Sequence, residues 1–507
     1  MRLVVRLATA LIAASLAVSV TGGAQTDTVP GVATPIVTTK HRMLLNGKPL
    51  AYTARAGVLP IRLNETGEPR GYIFFVAYSV DGVPGQPPRP LTFAWNGGPG
   101  SNALLLHLSA LGPRRLSSGD GDDATSKTPT AFEDNQATWL DATDLVFVDP
   151  IGTGFSRPAK AAYAEDFYGV QGDIAATVEL IRTYRTRFDA WDAPLFLVGE
   201  SYGVWRAAGA GEALEKGGQR LAGLILISGG IPLGPVIPEE MRTALFIPTR
   251  TASAFFHHKL PPDLQVDRDR SVADAEQWAR TVYAPALARG DSLSPNERIG
   301  IVRQLSRFTG LDTGRIDKKT LMVDRQFLMD NLLKDRGEGS LGRFDTRQVG
   351  GATAVDRQQA ARQRALTNRY LRNELGFKTD LVYQGLETGY SSSPKPPSVN
   401  ARWKYDQGDP NVPVVVRNTD APPGGTPPWL KRAMDLDPEL RTFVASGLYD
   451  SLNSCAGNRY AIAQLPPRAA SRITFSCYEG GHMMYEDREA RFQLKKDIAA
   501  FYAQRKR

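Results

Sequence analysis

The residues with the clearest chemistry are Gly-Glu-Ser-Tyr-Gly at positions 199–203. They follow the apolar run PLFLV and precede a stretch whose apolar residues have helical spacing. A sharp turn from a strand into a helix lifts a serine hydroxyl above the sheet, and glycines on both sides of it avoid steric clashes. The motif therefore predicts that Ser201 is a nucleophile. The alternative is an ordinary β–α turn that contains a serine.

A serine nucleophile needs a base, and in this architecture an acid and a histidine follow the serine in that order. Of the five histidines, only His257, His258 and His482 follow Ser201, and the first two fall in a segment that interrupts the strand pattern. His482 comes just after the apolar run SRITFSCY, and Asp450 just after RTFVASG. We therefore predict a triad of Ser201, Asp450 and His482, each beyond the carboxyl end of a strand.

Acyl transfer also needs hydrogen-bond donors for the oxygen that becomes negative. The glycine-rich segment WNGGPGSN, residues 95–102, follows the apolar run LTFA. The backbone amides of Gly98 and Tyr202 are the natural pair of donors for such an oxyanion hole. A phosphate-binding loop is the alternative, but no Gly-Lys-Ser/Thr follows and Pro99 has no amide hydrogen.

The apolar runs around these motifs predict the sheet that positions them. Short, nearly continuous runs are typical of buried parallel strands, and helical stretches at 173–188 and 204–218 lie between them. Residues 35–95 instead predict antiparallel strands, with a turn at Asn46-Gly47. The sequence therefore predicts an α/β fold with a mostly parallel central sheet and antiparallel N-terminal strands. The parallel runs lie at 144–149, 193–200, 221–229, 441–447 and 471–478.

The stretch 235–425 interrupts the alternation of strands and helices. It contains a capping-box pattern at 294–297 and helical periodicity over 319–337, so we interpret it as an inserted, mostly helical cap. The predicted organisation is a signal peptide over 1–24, a first core segment over 25–234, the cap over 235–425 and a second core segment over 426–507.

The first residues predict export. Arg2 and Arg6 flank a short basic region, an apolar run of 14 residues follows at 7–20, and Gly22 and Ala24 suit cleavage after Ala24. An uncleaved anchor is the alternative, but the run is shorter than the ~20 residues of a membrane-spanning helix. No later stretch approaches that length, so we expect no stable membrane span in the mature protein, which would be periplasmic or secreted.

The composition excludes several classes of protein. Two cysteines and five histidines in 507 residues exclude a disulfide-built fold and a four-cysteine zinc site, and they make a multi-histidine metal centre improbable. The formal net charge is +8, but the basic residues are dispersed and form no run of nucleic-acid-binding type. We therefore expect neither a metal nor a nucleic-acid partner. The oligomeric state is not readable from the sequence.

Five segments, taken together, resemble the serine carboxypeptidases, an α/β-hydrolase family with a helical insertion. This resemblance implies the same triad and oxyanion hole, hydrolysis of the C-terminal bond of a peptide with a free C-terminus, and no cofactor. It also implies that Asn96 and Glu200 bind the terminal carboxylate of the substrate and that Met483 borders the pocket of the leaving residue. The segments are WNGGPGSN, DLVFVDPIGTGFSRP, FLVGESYG, VASGLYDSLNSCAGN and EGGHMMY.

The sequence departs from this family at one position. The vacuolar and plant members carry a second glutamate fourteen residues after the motif asparagine, and here that position is Ala110. A carboxyl pair can share a proton and bind a carboxylate at acid pH, so the loss leaves Glu200 alone, and we expect it to be partly solvated with a pKa near its ordinary value.

Because this second glutamate is absent, the sequence does not determine the class of substrate. His107, Arg114 and Arg115 are candidates for replacing it. An ester hydrolase or acyltransferase using the same triad is the alternative function, and a catalytically silent binding protein is a further one.

The two cysteines flank the predicted catalytic loops. Cys455 follows Asp450 by five residues, and Cys477 precedes His482 by five. Export would place them in an oxidising compartment, so we predict a disulfide that tethers both loops, with two reduced cysteines as the alternative.

Overall fold

The computed structural model describes residues 35–82, 85–117, 131–350, 354–389, 397–406, 408, 415–416 and 426–504. The predicted signal peptide, residues 1–24, lies outside these ranges. The described strands are β1 (Val37–Leu45), β2 (Lys48–Arg62), β3 (Pro69–Ser79), β4 (Leu91–Trp95), β5 (Arg114–Ser117), β6 (Ala131–Asp134), β7 (Asp144–Val148), β8 (Arg157–Pro158), β9 (Leu195–Glu200), β10 (Gly223–Ile227), β11 (Lys404–Tyr405), β12 (Val415–Val416), β13 (Thr442–Gly447) and β14 (Ile473–Tyr478).

Ten of these strands form one mixed sheet. Its order is β1-β2-β3-β7-β4-β9-β10-β13-β14, and β8 pairs with β3. The pairs from β7 to β14 are parallel, whereas β1, β2 and β3 pair antiparallel and β3 joins β7 antiparallel. The Asn46-Gly47 turn joins β1 to β2 with φ values of 50° and 75°, as a two-residue hairpin loop of type I′ requires.

Helices cover both faces of the sheet. One face packs against α1, α2 and α11, and the other packs against α14 and the π-helical segment Leu106–Leu111. The apolar strands are buried on both sides because helices lie on both sides. The described helices are α1 (Val170–Arg187), α2 (Gly203–Lys216), α3 (Glu239–Ala244), α4 (Ile247–Phe256), α5 (Arg268–Trp278), α6 (Ala284–Arg289), α7 (Pro295–Thr309), α8 (Arg325–Asn331), α9 (Ala354–Arg369), α10 (Val399–Arg402), α11 (Trp429–Leu436), α12 (Cys455–Ala463), α13 (Pro467–Ala470) and α14 (Arg488–Ala503).

Helices α3 to α10 lie between β10 and β13, within the predicted insertion. The apolar side chains of α3 to α8 form a hydrophobic cluster of their own, which runs from Ala244 to Leu341. Helix α7 begins with the predicted capping box, in which Ser294 and Glu297 bond each other's backbone amides. The boundaries of the insertion at residues 235 and 425 stay predictions.

The helix predicted over 319–337 is much shorter in the structure. Helix α8 begins only after Asp324, whose side chain accepts a hydrogen bond from the amide of Phe327 and so caps the helix there. Leu321 has φ of 56°, which no helix tolerates, and its side chain is buried in the cluster of the insertion. The apolar spacing of this segment therefore reflects burial of an irregular turn.

Within the ranges that the structure describes, no helix combines the length and apolar character needed to cross a membrane.

Candidate active site

Ser201 occupies the turn between β9 and α2. Its φ is 58°, in the left-handed region that a residue with a side chain adopts only when the surrounding structure enforces it. Its amide donates a hydrogen bond of 2.9 Å to the carbonyl of Ile227 on the neighbouring strand. A Cβ at Gly199 would lie 1.9 Å from the carbonyl oxygen of Gly203, so only glycine permits a turn this tight. The sheet thus holds the serine in the strained geometry of a nucleophile elbow.

Asp450 and His482 lie beyond the ends of the neighbouring parallel strands β13 and β14. His482 Nδ1 donates a hydrogen bond of 2.8 Å to Asp450 Oδ2. Asp450 also accepts bonds of 2.8 Å from the amide of Leu452 and 3.0 Å from Asn453 Nδ2. The aspartate is therefore fixed from two sides, and Nε2 is the nitrogen of His482 left for proton transfer.

The surroundings of His482 favour its cationic form. Burial by itself would lower the pKa of this imidazole, but the charge and hydrogen bond of Asp450, together with the charge of Glu200, outweigh it and raise the pKa above 6.5. An imidazole held in this way is a stronger base, as the role of proton acceptor from a serine hydroxyl requires.

The predicted catalytic and substrate-binding residues line one cavity of about 250 Å³. Its walls come from the turn after β4, the nucleophile turn, the loops after β10, β13 and β14, and the insertion. The residues that it brings together include Asn96, Gly98, Glu200, Ser201, Tyr202, His482 and Met483. Asp450 stands behind His482 with no exposed surface.

The backbone at Asn96–Gly98 lies directly against the nucleophile turn. A Cβ at Gly97 would come within 2.4 Å of the Tyr202 amide nitrogen, so the two segments touch through their main chains. In the described part of the chain, the amides of Gly98 and Tyr202 donate to no protein acceptor. Both are therefore available to a negatively charged oxygen at this wall of the cavity.

Comparison with known proteins shows which family part of the chain resembles. Residues 52–208 match the family model described as serine carboxypeptidase. Over this segment the chain is similar to the serine carboxypeptidase family. It contains β4, the nucleophile turn and the start of α2, but neither Asp450 nor His482.

Two curated relatives agree with this assignment over short stretches. The human retinoid-inducible serine carboxypeptidase is 32% identical over 153 residues, which is 29% of this chain and 30% of that protein. The pheromone-processing carboxypeptidase KEX1 of Komagataella phaffii is 34% identical over 105 residues, which is 20% of this chain and 15% of that protein. The match thus spans less than a third of the length of either curated relative.

The fold extends the likeness to most of the chain. The crystal structure of KEX1(delta)p, a prohormone-processing carboxypeptidase from Saccharomyces cerevisiae, superposes with a TM-score of 0.53 and 15% sequence identity, over 89% of this chain and 91% of that one. The chain has the α/β-hydrolase fold of these carboxypeptidases, which confirms the predicted fold class.

The prediction that Glu200 is partly solvated, with a pKa near its ordinary value, was wrong. Its side chain is 2% exposed, and burial raises its pKa to about 7, although bonds from Tyr485 and Asn96 oppose the rise. Glu200 Oε2 accepts a hydrogen bond of 2.5 Å from the Tyr485 hydroxyl and one of 2.9 Å from Asn96 Nδ2. Tyr485 is the last residue of the EGGHMMY segment, but the sequence indicates no role for it, because its contact with Glu200 forms only in the fold.

None of the three residues proposed to replace the missing glutamate is among the described residues that line the cavity. His107 is buried and shares a hydrogen bond of 2.6 Å with the Tyr78 hydroxyl, and burial lowers its pKa to about 3. Arg114 pairs with Asp134 and Arg115 pairs with Glu133 across the β5–β6 hairpin. Ala110 itself is buried in the π-helical segment.

A segment of the insertion, residues 341–348, crosses the loops that carry Asp450 and His482, and we call it the strap. The amide of His482 donates a hydrogen bond of 2.6 Å to the carbonyl of Phe344, and the Ser451 hydroxyl donates to the carbonyl of Arg343. The amide of Thr346 donates to the carbonyl of Tyr449 at 3.1 Å. Arg343 and Phe344 line the cavity, and the sequence analysis identified neither.

A buried ion pair supports the other wall. Arg206, 1% exposed, bonds Asp173 Oδ2 at 2.8 Å and donates to the carbonyl of Asn96 at 2.9 Å. The Tyr202 hydroxyl donates to the same carboxylate at 3.3 Å. Helices α1 and α2 therefore fix the main chain of Asn96 next to the nucleophile turn.

Cys455 and Cys477 are joined by a disulfide, with their Cα atoms 5.8 Å apart. Cys455 begins α12 and Cys477 lies in β14, so the bond connects the chain after Asp450 with the strand before His482.

Proposed function

We propose that the protein is a serine-type carboxypeptidase that hydrolyses the last peptide bond of a peptide with a free C-terminus. The observation that carries the proposal is the hydrogen bond of 2.8 Å between His482 and Asp450. Ser201, whose backbone is strained at a φ of 58°, lines the same cavity as His482. The match of residues 52–208 to the family model supports a carboxypeptidase over other hydrolases of this fold.

In the proposed reaction, Ser201 Oγ attacks the carbonyl carbon of the last peptide bond, and His482 Nε2 accepts the hydroxyl proton. The amides of Gly98 and Tyr202 stabilise the oxyanion. His482 then donates the proton to the leaving amine, while Asp450 holds the imidazole in place and stabilises its cation. Water, activated by the same histidine, hydrolyses the acyl-enzyme. The steps use side chains and backbone amides of this chain together with water, and they require no cofactor.

Asn96, Glu200 and Met483 form the proposed pocket for the leaving residue. A protonated Glu200 donates a hydrogen bond to the terminal carboxylate, and an ionised one repels it. Because burial raises the pKa of Glu200 to about 7, this group is largely protonated in mildly acidic solution. The carboxyl that the family places at Ala110 is thus not needed to keep Glu200 protonated.

We also propose that the protein is exported, with residues 1–24 as a cleaved signal peptide, and that it acts in the periplasm or outside the cell. The basis is the apolar run of 14 residues after Arg2 and Arg6. N-terminal sequencing of protein recovered from the cell envelope and the medium tests this, with Gln25 expected as the first residue.

The test of the activity is digestion of a peptide library with identification of each released residue by mass spectrometry. Single residues released from free-acid peptides, and none released by Ser201→Ala, are the expected result. Internal cleavage, or no cleavage by protein that a fluorophosphonate labels at Ser201, would contradict the proposal.

An ester hydrolase or acyltransferase with the same triad is the second candidate. The observation that favours it is Ala110, which removes a family carboxyl associated with peptide C-termini. A kcat/KM for N-acyl amino acid esters far above that for the matching free-acid dipeptides would support this candidate.

A further inference from the structure

A peptide that ends in a carboxylate faces an electrostatic cost in this cavity. The space of about 250 Å³ is small, so the carboxylate gives up most of its water on entry. The buried carboxyl of Glu200 stands in the wall and repels the ligand whenever it is ionised. A carboxylate enters such a site favourably only if a cation or several donors replace its water.

The Asn96 side chain, next to Glu200, has one N–H left for a carboxylate. The other N–H of Asn96 Nδ2 donates to Glu200 Oε2 at 2.9 Å, and Asn96 Oδ1 accepts from the amide of Leu106 at 3.1 Å. The form of His482 that acts as a base is neutral, so in the reactive state this imidazole carries no charge to bind a carboxylate.

Among the described residues that line the cavity, Arg343 is the one with a permanent positive charge. Its position is set by the main chain of the strap. The carbonyl of Arg343 accepts a bond from Ser451, next to Asp450, and the carbonyl of Phe344 accepts the 2.6 Å bond from the His482 amide. The positive charge of Arg343 also acts to lower the pKa of His482, as expected for a guanidinium on the same cavity.

We propose that Arg343 binds the terminal carboxylate of the substrate together with Asn96 and protonated Glu200, and that it contributes most of the selection for free-acid peptides. A guanidinium offers two parallel donors that match a carboxylate, and it stays charged over the whole working range of pH. In this proposal, a cation from the insertion compensates for the second glutamate that the chain lacks at Ala110. This inference rests on the proposed carboxypeptidase function.

The test measures binding and does not depend on turnover. An N-acyl-Phe-Leu peptide and its C-terminal amide are titrated calorimetrically into Ser201→Ala, and into double variants that add Arg343→Gln, Arg343→Lys or Arg115→Gln. Arg115→Gln is the matched control, because it removes an arginine outside the cavity. Arg343→Met, which keeps the aliphatic length, replaces Arg343→Gln if that variant fails to fold.

The free acid is expected to bind Ser201→Ala about tenfold or more tightly than the amide. This ratio should fall to within about twofold in Arg343→Gln, be partly retained in Arg343→Lys and be unchanged in Arg115→Gln. A ratio that survives Arg343→Gln, or no preference in Ser201→Ala, overturns the assignment.

A second pair of peptides separates the terminal carboxylate from an acidic side chain. N-acyl-Phe-Glu amide and N-acyl-Phe-Gln amide are expected to bind equally. An Arg343-dependent preference for the glutamate peptide would overturn the proposal in favour of side-chain recognition. Peptide turnover by the wild-type protein is measured separately, so its absence would refute the carboxypeptidase function while the binding ratios still report on Arg343.

Discussion

The amide of His482 donates a hydrogen bond of 2.6 Å to the carbonyl of Phe344, so the insertion holds the main chain of the proposed base directly. The Phe344 ring lies 5.5 Å from the imidazole, between centroids. The insertion is therefore a structural part of the proposed catalytic centre. Changes in the strap should alter catalysis even where they leave the substrate contacts intact.

The first prediction concerns the triad. Ser201→Ala or His482→Ala should lower kcat by about 10⁴- to 10⁶-fold, and Asp450→Asn by up to about 10⁴-fold, because the three residues act as a unit. Steady-state kinetics on a dipeptide substrate, with circular dichroism to verify folding, checks this. His258→Ala, at an exposed histidine of the insertion, is the matched control. More than a tenth of wild-type turnover in Ser201→Ala would refute the assignment of the nucleophile.

The second prediction concerns the contact between the strap and the histidine loop. A Cβ at Gly481 would lie 2.3 Å from the Phe344 carbonyl oxygen and 2.5 Å from the Asp345 Cβ. Gly481→Ala must therefore displace the strap, and we expect kcat/KM to fall about tenfold or more through misplacement of His482. Gly300→Ala, where a Cβ meets nothing within 4 Å, is the control. Unchanged kinetics in Gly481→Ala would show that the strap does not position the base.

The third prediction concerns the pH dependence of the base. Burial lowers the pKa of His482, but Asp450 and, more weakly, Glu200 raise it above 6.5. For a neutral ester, kcat/KM should therefore rise with pH through a value above 6.5, where His482 loses its proton. Glu200→Gln removes one of the charges that raise the pKa of His482, so the rise of kcat/KM should move to lower pH. Glu133→Gln, at an exposed glutamate, should leave the profile unchanged. Superimposable profiles for wild type and Glu200→Gln would contradict the electrostatic coupling.

The fourth prediction concerns stability. Burial raises the pKa of Glu200 from 4.5 to about 7, so the folded protein binds a proton that the unfolded chain releases in this interval. The free energy of unfolding should therefore decrease as pH rises from 4.5 to 7. The Glu200→Gln protein does not lose this stability. Its free energy of unfolding, relative to that of the wild type, should therefore rise by up to about 3 kcal/mol between pH 4.5 and pH 7. Urea unfolding at both ends measures it, and a difference that does not change with pH would contradict the raised pKa.

The fifth prediction concerns the disulfide. Cys455 and Cys477 are 22 residues apart, and closing a loop of this length stabilises a protein by about 3 kcal/mol in the loop-entropy model. Cys455→Ala combined with Cys477→Ala should lower the free energy of unfolding by about this amount. Intact mass after denaturing, non-reducing alkylation tests the bond itself. Two added alkyl groups would show that the cysteines are reduced.

The sequence predicts best what lies next to a recognisable strand. Ser201, Asp450 and His482 each follow a short apolar run, and parallel strands bring their carboxyl ends to one edge of the sheet. The glycine-rich turn after β4 was placed by the same reasoning. For these residues, local pattern and chain order were sufficient to predict that they approach one another.

Residues of the insertion could not be placed in this way. The strap has no helical or strand period, and Arg343 reaches the cavity only because backbone bonds to two distant loops hold it there. The state of Glu200 was missed for a related reason. Its burial depends on Asn96 and Tyr485, which come from other elements and close over the carboxyl only in the folded protein.

The insertion separates Ser201 from Asp450 and His482 along the chain, and this order has a consequence for the synthesis of the protein. The nucleophile turn is complete once β9, β10 and α2 have folded, but β14 and the loop that carries His482 come near the end of the described chain. A nascent or truncated chain that ends before this loop has a serine with nothing to accept its proton. Under the proposed mechanism, an emerging polypeptide cannot digest its neighbours, and hydrolysis begins only when the last parallel strand docks. Under that mechanism, the order of the elements along the chain delays activity until synthesis of the chain is almost complete.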